Sequence, residues 1–373
     1  MAGKMNLKEL LTADISTLFT RKQTKKKVAP IATDYKKPVV IFDIGQKNIK
    51  VLVGKKQKEN LTIQKTFVVP TPAESLLDGK VLNESILGNS IQFALKEQGI
   101  RIKDALVTVN SSQIINRELI IEKVDEDELE TVIRYELQQY LPINLNDYLV
   151  QFVILDEFEE DEVMKYKIFV IAFPDRIAKS YYQVLKTADL KPFSLETTFV
   201  SLDKLLKHTT MINQKPFSPE GVIAFLDLGA TTIDVHICKD GHIDLTRIIK
   251  SGGDDVDQML SYHHQLLMKS ILKVKESLDL MENLEDELVQ TARLAVDNLI
   301  SEVDRILQFY RNKSYCQIDQ IYLYGGGALL KGLDTYMSER LNIEVETIRS
   351  WNDMKADEDL TIFINTLGSM YRQ

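Results

Sequence analysis

Residues 221–237 read GVIAFLDLGATTIDVHI, an apolar run that breaks at Asp227 and Gly229 and then resumes as alternating apolar and polar residues. This pattern is typical of a strand, a tight turn and a second strand. Glycine in the turn permits backbone conformations closed to other residues and lets amide groups approach an anion. Asp227 adds a carboxylate for a metal-bound water, and Thr231 and Thr232 add hydroxyls. The segment favours a phosphate-binding turn for a magnesium nucleotide.

A single turn of this kind also occurs in ordinary hairpins, but this chain contains it twice. Residues 39–53, VVIFDIGQKNIKVLV, align without a gap on residues 223–237, which pairs Asp43 with Asp227 and the glycines that follow them. The offset, 227 − 43 = 184 residues, is near half of the 373-residue chain. Two such hairpins half a chain apart predict a duplicated α/β fold that holds a phosphate from both halves.

A third glycine-rich turn follows the strand predicted at residues 318–324. Three consecutive glycines, residues 325–327, separate that strand from a helix predicted to begin near residue 330. Only glycine lets a backbone lie flush against a base or a phosphate. Together with the two aspartate hairpins, this turn makes a nucleotide site the interpretation that the sequence favours most.

Composition limits the class of protein. A length of 373 residues with 44% hydrophobic and 27% charged residues suits a globular protein of two domains. No apolar run approaches the roughly 18–20 residues of a membrane span, and the N-terminus lacks an apolar signal core. Cys238 and Cys316 have no metal-binding spacing and fit a reducing cytoplasm. The five histidines form no metal pattern, and we expect them at the surface.

The net charge of −9 is unevenly distributed. Residues 1–37 hold nine Lys/Arg against three Asp/Glu, a balance of +6, so the remaining chain carries −15. Such an acidic body argues against nucleic-acid binding. Residues 6–19 place apolar side chains on one helical face, and a basic cluster follows up to residue 27. Residues 6–27 therefore fit either contact with an anionic membrane surface or an acidic partner, or a disordered leader with incidental periodicity.

The remaining patterns divide the chain into domains. Residues 103–190 read β–α–β–β–α and predict an inserted subdomain. Its acidic run at residues 125–130 is interpreted as the start of a helix rather than as a metal site. The other predicted parts are an N-terminal arm (1–37), a first domain (38–102 and 191–220), a second domain (221–250 and 318–373) and a helical subdomain (251–317).

The three turns and the insertion resemble a known family. DIGQKNIK, DLGATTID and LYGGGALLKGL are similar to the first phosphate loop, the second phosphate loop and the adenosine loop of the actin-like superfamily. The block that begins NSSQIINRELIIEKVDEDELETVIRYELQQYLP and ends FVIAFPDRIAKSYYQVLKTADLKP resembles the insertion of the PilM family of type IV pilus assembly proteins. The resemblance covers residues 38–373. It implies an actin-like (ribonuclease H-like) duplicated two-domain ATPase fold with a PilM/FtsA-type inserted subdomain.

The resemblance also implies a function and its ligands. It implies a cytoplasmic scaffold, peripheral at the inner face of the cytoplasmic membrane, that binds ATP and Mg²⁺ between its domains. Its partners would be the cytoplasmic N-terminal peptide of a PilN-like bitopic membrane protein and, indirectly, a PilO-like protein and the assembly motor, with homo-oligomers also possible. Asp43 and Asp227 would hold the magnesium through water. The nucleotide ligands carried over are Asp43, Gly45, Gln46, Lys47, Asn48, Lys50, Asp227, Gly229, Ala230, Thr231, Thr232, Gly252, Gly253, Lys275, Gly325, Gly326 and Gly327.

Two departures from the family pattern bear on catalysis. Gln46 and Lys47 stand where the family has hydroxyl residues, and the charge of Lys47 fits a phosphate contact and a solvated position equally well. Thr198 occupies the position at which Hsp70-like relatives carry a water-orienting glutamate, which leaves Glu196 as a weak catalytic candidate. Hydrolysis requires an oriented water and a base. The sequence therefore supports ATP binding more firmly than ATP hydrolysis.

Two alternative functions remain open at this point. An FtsA-like protein would form filaments on the membrane, but FtsA relatives carry an amphipathic tether at the C-terminus, where this chain reads TLGSMYRQ. A small-molecule kinase of the same superfamily would need a base for the acceptor hydroxyl and a substrate pocket. Neither is evident in the sequence.

Overall fold

The computed structural model describes residues 37–57, 60–352, 354 and 359–371. The predicted membrane contact of residues 6–27 lies outside these residues and stays a prediction. Within the described part of the chain, none of the helices combines the length and the hydropathy of a membrane span.

Two compact units divide the chain. The first unit runs to Ser201 and includes the chain again from Ser369, whereas the second unit is Leu202–Gly368. The predicted boundary between residues 220 and 221 therefore lies later in the chain than the boundary between the units. Residues 202–220 cluster with the second half, and the last residues cluster with the first.

The first unit is built around a five-stranded sheet in the order β10–β6–β1–β2–β3. β1 pairs with β2 in antiparallel and with β6 in parallel fashion, and β10 is parallel to β6. All six residues of β1 are buried, including Asp43 within its otherwise apolar sequence. The elements are β1 (Val39–Ile44), β2 (Asn48–Gln57), β3 (Asn60–Pro70), β4 (Leu76–Leu77), β5 (Lys80–Val81), α1 (Glu84–Glu97), β6 (Asp104–Val109), β7 (Ile115–Glu122), α2 (Leu129–Tyr140), β8 (Tyr148–Glu160), β9 (Val163–Pro174), α3 (Asp175–Thr187), β10 (Lys191–Thr197) and α4 (Thr198–Leu206), which continues into the second unit.

Helices α1 and α3 pack against each other and against this sheet. The side chain of Asn83 caps α1 by accepting a hydrogen bond from the amide of Ile86 at 3.0 Å. Gly88 allows the close approach of the two helices, because a Cβ there would lie 2.6 Å from the Thr187 side chain. The buried faces of both helices belong to the core of the five-stranded sheet.

A separate three-stranded sheet, β7–β9–β8, forms the insertion. Helix α2 covers it and buries Leu129, Ile133 and Leu137 in a core of their own. The predicted insertion, residues 103–190, includes elements that do not belong to this three-stranded sheet. Its first strand, β6, pairs with β1 and β10, and its last helix, α3, packs in the core of the five-stranded sheet.

The second unit repeats the topology of the first. Its sheet has the order β15–β14–β13–β16–β17, which matches β3–β2–β1–β6–β10 strand for strand and in strand direction. The predicted duplication is thus present in the fold. The elements are β11 (Met211–Ile212), β12 (Lys215–Pro216), β13 (Val222–Leu228), β14 (Ile233–Lys239), β15 (His242–Ile249), α5 (Gly253–His264), α6 (Met268–Ser277), α7 (Glu287–Ser314), β16 (Gln320–Tyr324), α8 (Leu333–Leu341), β17 (Glu344–Thr347) and α9 (Ile364–Gly368).

One histidine contradicts the expectation that all of them lie at the surface. His236, on β14, is 1% exposed, and its Nδ1 lies 3.2 Å from Thr246 Oγ1. Burial lowers the pKa of His236 to about 3, because the charged imidazolium would lose its hydration. The alternating pattern of β14 placed residue 236 on a face that a second layer of the unit covers, which the sequence alone does not reveal.

Candidate nucleotide site

The turn between β13 and β14 has the geometry that its sequence predicts. The amide of Gly229 donates to the carbonyl of Thr232 at 2.9 Å and closes the turn. A Cβ on Gly229 would lie 2.8 Å from that same carbonyl oxygen, so a larger residue would open the turn. Asp227 lies just before it and is paired across the hairpin with Asp234.

The N-terminus of α5 packs directly against this turn. The amides of Gly253 and Asp254 donate to the carbonyls of Gly229 and Ala230 at 3.0 and 2.8 Å. Gly252 is required for this approach, because a Cβ there would lie 2.5 Å from the Ala230 carbonyl oxygen. The amides of Gly253 and Asp254 are therefore used to hold the helix against the turn.

The three glycines after β16 have different surroundings. Gly325 has φ +88°, and a Cβ there would clash with Asp227 Oδ1. A Cβ on Gly327 would lie 2.9 Å from the Cβ of Leu228, whereas a Cβ on Gly326 would meet nothing within 4 Å. Gly325 and Gly327 are therefore explained by packing against the end of β13, and Gly326 is the glycine that faces open space.

Lys275 and four of the predicted glycines line one small cavity of about 30 Å³ in the second unit. Lys275 Nζ forms an ion pair with Asp257 Oδ1 at 2.8 Å, and the Asp257 side chain is 2% exposed. The glycines are Gly229, Gly252, Gly253 and Gly327. Sequence reasoning missed Asp257, because its role depends on α5 and α6 packing together.

Asp227 has a further partner that the sequence did not indicate. Asn365 Nδ2, on α9, donates to Asp227 Oδ2 at 2.8 Å. Asn365 itself is buried, and no local motif surrounds it. Asp227 thus lies where the end of β13, the glycine turn after β16 and α9 meet.

The first unit carries the equivalent turn between β1 and β2. The amide of Gly45 donates to the carbonyl of Asn48 at 3.0 Å, as in the second hairpin. Asp43 forms an ion pair with Lys50 at 3.0 Å, and both side chains are largely buried. The Lys47 carbonyl accepts a hydrogen bond from the amide of Thr71 at 3.0 Å.

Other contacts hold this first turn to its own unit. The Gly45 carbonyl accepts a hydrogen bond from the Thr71 hydroxyl at 2.7 Å, and the Gln46 side-chain amide donates to the Leu76 carbonyl. Gln46 is therefore used to position the loop. The buried hydroxyl of Tyr181 on α3 is another feature that sequence reasoning missed. Burial, and then the nearby charge of Asp43, raise the pKa of Tyr181.

The carboxylate of Glu196 lies among hydroxyl groups in the interior of the first unit. Its carboxylate accepts from the hydroxyls of Ser194 and Ser369 at 3.3 and 3.1 Å, and it is 3% exposed. Ser369 also lies 2.9 Å from the hydroxyl of Thr108. Glu196 thus belongs to a buried hydroxyl cluster of the first unit, and Thr198, at the start of α4, is buried as well.

The metal-ligating group beside each turn is a single carboxylate. Each hairpin supplies one aspartate before its turn, and no group of three or more metal-ligating side chains occurs among the described residues. Mg²⁺ commonly keeps several waters and takes one or two carboxylates together with substrate phosphates. The donor set therefore suits a metal that arrives with a nucleotide.

The duplicated sheets and their paired hairpins define an actin-like protein with two ribonuclease H-like halves. One similar solved structure is described as "PilM-PilN type IV pilus biogenesis complex", with a TM-score of 0.75 at 20% identity, covering 89% of this chain and 97% of that one. Another is the ethanolamine utilization protein EutJ from Carboxydothermus hydrogenoformans, with a TM-score of 0.56 at 15% identity, covering 93% and 92%. These likenesses confirm the predicted fold.

The family follows from a direct match of the sequence. A family model described as "Type IV pilus assembly protein PilM" matches residues 42–362. The chain therefore belongs to the PilM family of type IV pilus assembly proteins, as its insertion and its three turns predict.

Proposed function

We propose that this protein is an ATP-Mg-binding scaffold of the type IV pilus assembly platform. The observation that carries the nucleotide part is the repeated hairpin: each unit has an aspartate, a glycine and the same turn hydrogen bond at the same place in the same sheet topology. Among the residues that the structure describes, a glycine turn follows β16 but not the equivalent strand β6 of the first unit, which suits an adenosine group bound to the second unit.

The proposed ligands are those that the sequence predicts. The backbone around Gly229 and Gly45 would meet the phosphates, and Asp43 and Asp227 would hold magnesium through water. Gly326 is the glycine free to lie against the adenosine, because its open surroundings leave room that Gly325 and Gly327 lack. Lys275, fixed by Asp257, would lie beside the base or the ribose.

We further propose binding without efficient turnover. Glu196 is the candidate base, yet two hydroxyls hold its carboxylate inside the first unit. A general base must reach the water that it activates. The nucleotide would thus act as a ligand that selects one state of the scaffold rather than as a substrate.

The partner would be the cytoplasmic N-terminal peptide of a PilN-like bitopic membrane protein. The solved relative whose description names a PilM–PilN complex supports this partner. A PilO-like protein and the assembly motor would follow indirectly, and the protein would lie in the cytoplasm at the inner face of the membrane. Residues 6–27 would add a membrane contact, and the protein would form homo-oligomers.

A titration with synthetic peptide tests this proposal. A labelled peptide covering the cytoplasmic N-terminus of the PilN-like protein is titrated with the full chain, with and without ATP-Mg, by fluorescence anisotropy. We expect saturable binding whose affinity changes at least about 5-fold with nucleotide, the lower range of typical coupling energies. A scrambled peptide is the control. Absence of saturable binding in both conditions would contradict the scaffold function.

A further inference from the structure

A second cavity, outside the candidate nucleotide site, lies at the other end of the first unit's sheet. It has a volume of about 290 Å³ and is formed where α1 and α3 end and β6 and β10 begin. Among its lining residues are three cations, Lys96, Arg101 and Lys103, and one carboxylate, Asp189. The cavity therefore carries a net charge of +2 in a protein whose total charge is −9.

This cavity is distinct from the phosphate turn of the same unit. β6 runs parallel to β1, with Val40 opposite Ala105 and Asp43 opposite Thr108. Residues 100–103 precede β6, whereas the turn follows the end of β1. About five strand residues, or roughly 16 Å, separate the two ends.

The four charged groups differ in their hydrogen bonds and ion pairs. Lys103 donates to both the carboxylate and the carbonyl of Asp189, the latter at 2.9 Å. This hydrogen bond lowers the pKa of Asp189 and so keeps the pair ionised. Within the described residues, the side chains of Lys96 and Arg101 have no hydrogen-bond or ion-pair partner, so the net positive charge belongs to them.

Lys96 and Arg101 do not cap the nearby helix ends with their side chains. The C-termini of α1 and α3 both point toward the cavity, and such ends attract positive charge. Three of the last four carbonyls of each helix accept hydrogen bonds from backbone amides. Lys65 Nζ and Lys103 Nζ bind carbonyls just beyond the helices, those of Gln98 at 3.3 Å and Asp189 at 2.9 Å.

We propose that this cavity binds a phosphate ester, with Arg101 and Lys96 as its ligands. The planar guanidinium of Arg101 presents two donors that match two phosphate oxygens, and the ammonium of Lys96 supplies a second charge. Leu95, Ile100 and Leu190 provide an apolar wall for the rest of the molecule. The volume lies at the lower end of the range for small-molecule sites.

Calorimetry with inorganic pyrophosphate tests the site in the full chain. We expect the double variant Lys96→Ala/Arg101→Ala to lose about 10-fold or more in affinity, or one site in stoichiometry, because it removes both charged ligands of the phosphate. Both residues are exposed, so the thermal midpoint should not change. The matched control, Lys269→Ala/Lys273→Ala on α6, removes the same charge elsewhere and should bind as the wild type does.

A second arm identifies the source of the phosphate. Vesicles of phosphatidylglycerol and phosphatidylcholine are sedimented with the same variants, all of which retain residues 6–27. Loss of pyrophosphate binding in the cavity variant identifies a soluble ligand, and loss confined to vesicle binding identifies a lipid headgroup. Unchanged binding in both arms, or an equal loss in the control variant, would overturn the proposal.

Discussion

The two hairpins share one backbone but differ in the charges that lie across them. In the first, Asp43 is opposite Lys50, and the two form an ion pair. In the second, Asp227 is opposite Asp234, so the residue across from the aspartate is an acid rather than a lysine. The duplicated turn has therefore kept its geometry, while the residue that faces its aspartate has changed.

The strands that pair with β1 and β13 also differ between the two units, at the positions next to the aspartates. Thr108 on β6 pairs with Asp43, and Tyr324 on β16 pairs with Asp227. The next residue is Val109 in the first unit and Gly325 in the second. The glycine lets the second turn pack on Asp227, which valine could not do. The second unit therefore has a turn in which a glycine after β16 packs on Asp227, a contact that the first unit lacks at the equivalent position.

The largest effect is expected from Gly325→Ala. The positive φ of Gly325 and the clash of a new Cβ with Asp227 should destabilise the second unit by about 3 kcal/mol or more. Urea unfolding of the variant and the wild type measures this difference. A loss below about 1 kcal/mol would contradict the proposed difference between the two units, because the second turn could then accept a side chain, as the first unit does.

Gly326→Ala is the matched control for this change. Its Cβ would meet nothing within 4 Å, and its φ is not in the left-handed region, so the stability should stay within about 0.5 kcal/mol of the wild type. The same variant should bind ATP-Mg more weakly, since the methyl group would occupy the space proposed for the adenosine. Unchanged affinity would remove Gly326 from the proposed site.

The next largest expected effect is a pH dependence of the unfolding free energy that arises from the sheet of the second unit. His236 on β14 corresponds to Leu52 on β2, given the 184-residue offset, and both are buried. The unfolded chain takes up a proton at His236 below pH about 6.5, but the folded chain, with a pKa of about 3, does not. Stability should therefore fall as the pH drops, by about 2 kcal/mol between pH 6.5 and 5.

The His236→Leu variant isolates this contribution. It gives the second unit the residue that the first unit has, so its unfolding free energy should lose that part of the pH dependence. The measurement is the difference between the variant and the wild type in urea titrations at pH 7, 6 and 5. A difference that stays constant with pH would show that His236 does not titrate as its burial requires.

The smallest effect is expected from the Asp43–Lys50 pair. A double-mutant cycle with Asp43→Asn and Lys50→Met should give a coupling energy of about 1 kcal/mol for this largely buried ion pair. Urea unfolding supplies the four free energies. A coupling near zero would mean that Lys50 does not neutralise Asp43, and the contrast between the hairpins would then rest on geometry alone.

Much of this fold could be predicted from the sequence because local sequence patterns specify it. The apolar runs and the aspartate–glycine pairs predict both hairpins and their duplication, and the order of the insertion predicts the family. What the sequence could not provide depends on distant contacts. Asn365 reaches Asp227 across 138 residues, and the chain returns to the first unit at Ser369. No periodicity reveals such partners.

The same limit explains the expectations that the structure altered. Residues 104–109 look like any buried strand, and only their pairing shows that β6 belongs to the large sheet rather than to the insertion. His236 alternates correctly in β14, yet its burial depends on a layer that the local sequence does not specify. The predicted glycines at 325 and 327 pack against the protein itself, a use of glycine that the sequence cannot tell from a ligand contact.

The most direct test compares the two aspartates in one titration. ATP affinity in the presence of Mg²⁺ is measured by calorimetry for the wild type, Asp43→Asn and Asp227→Asn, with Glu339→Gln on α8 as the control. We predict a loss of about 10- to 100-fold for Asp227→Asn, a smaller loss for Asp43→Asn and none for the control. Wild-type affinity in Asp227→Asn, with its fold intact by thermal unfolding, would contradict the account.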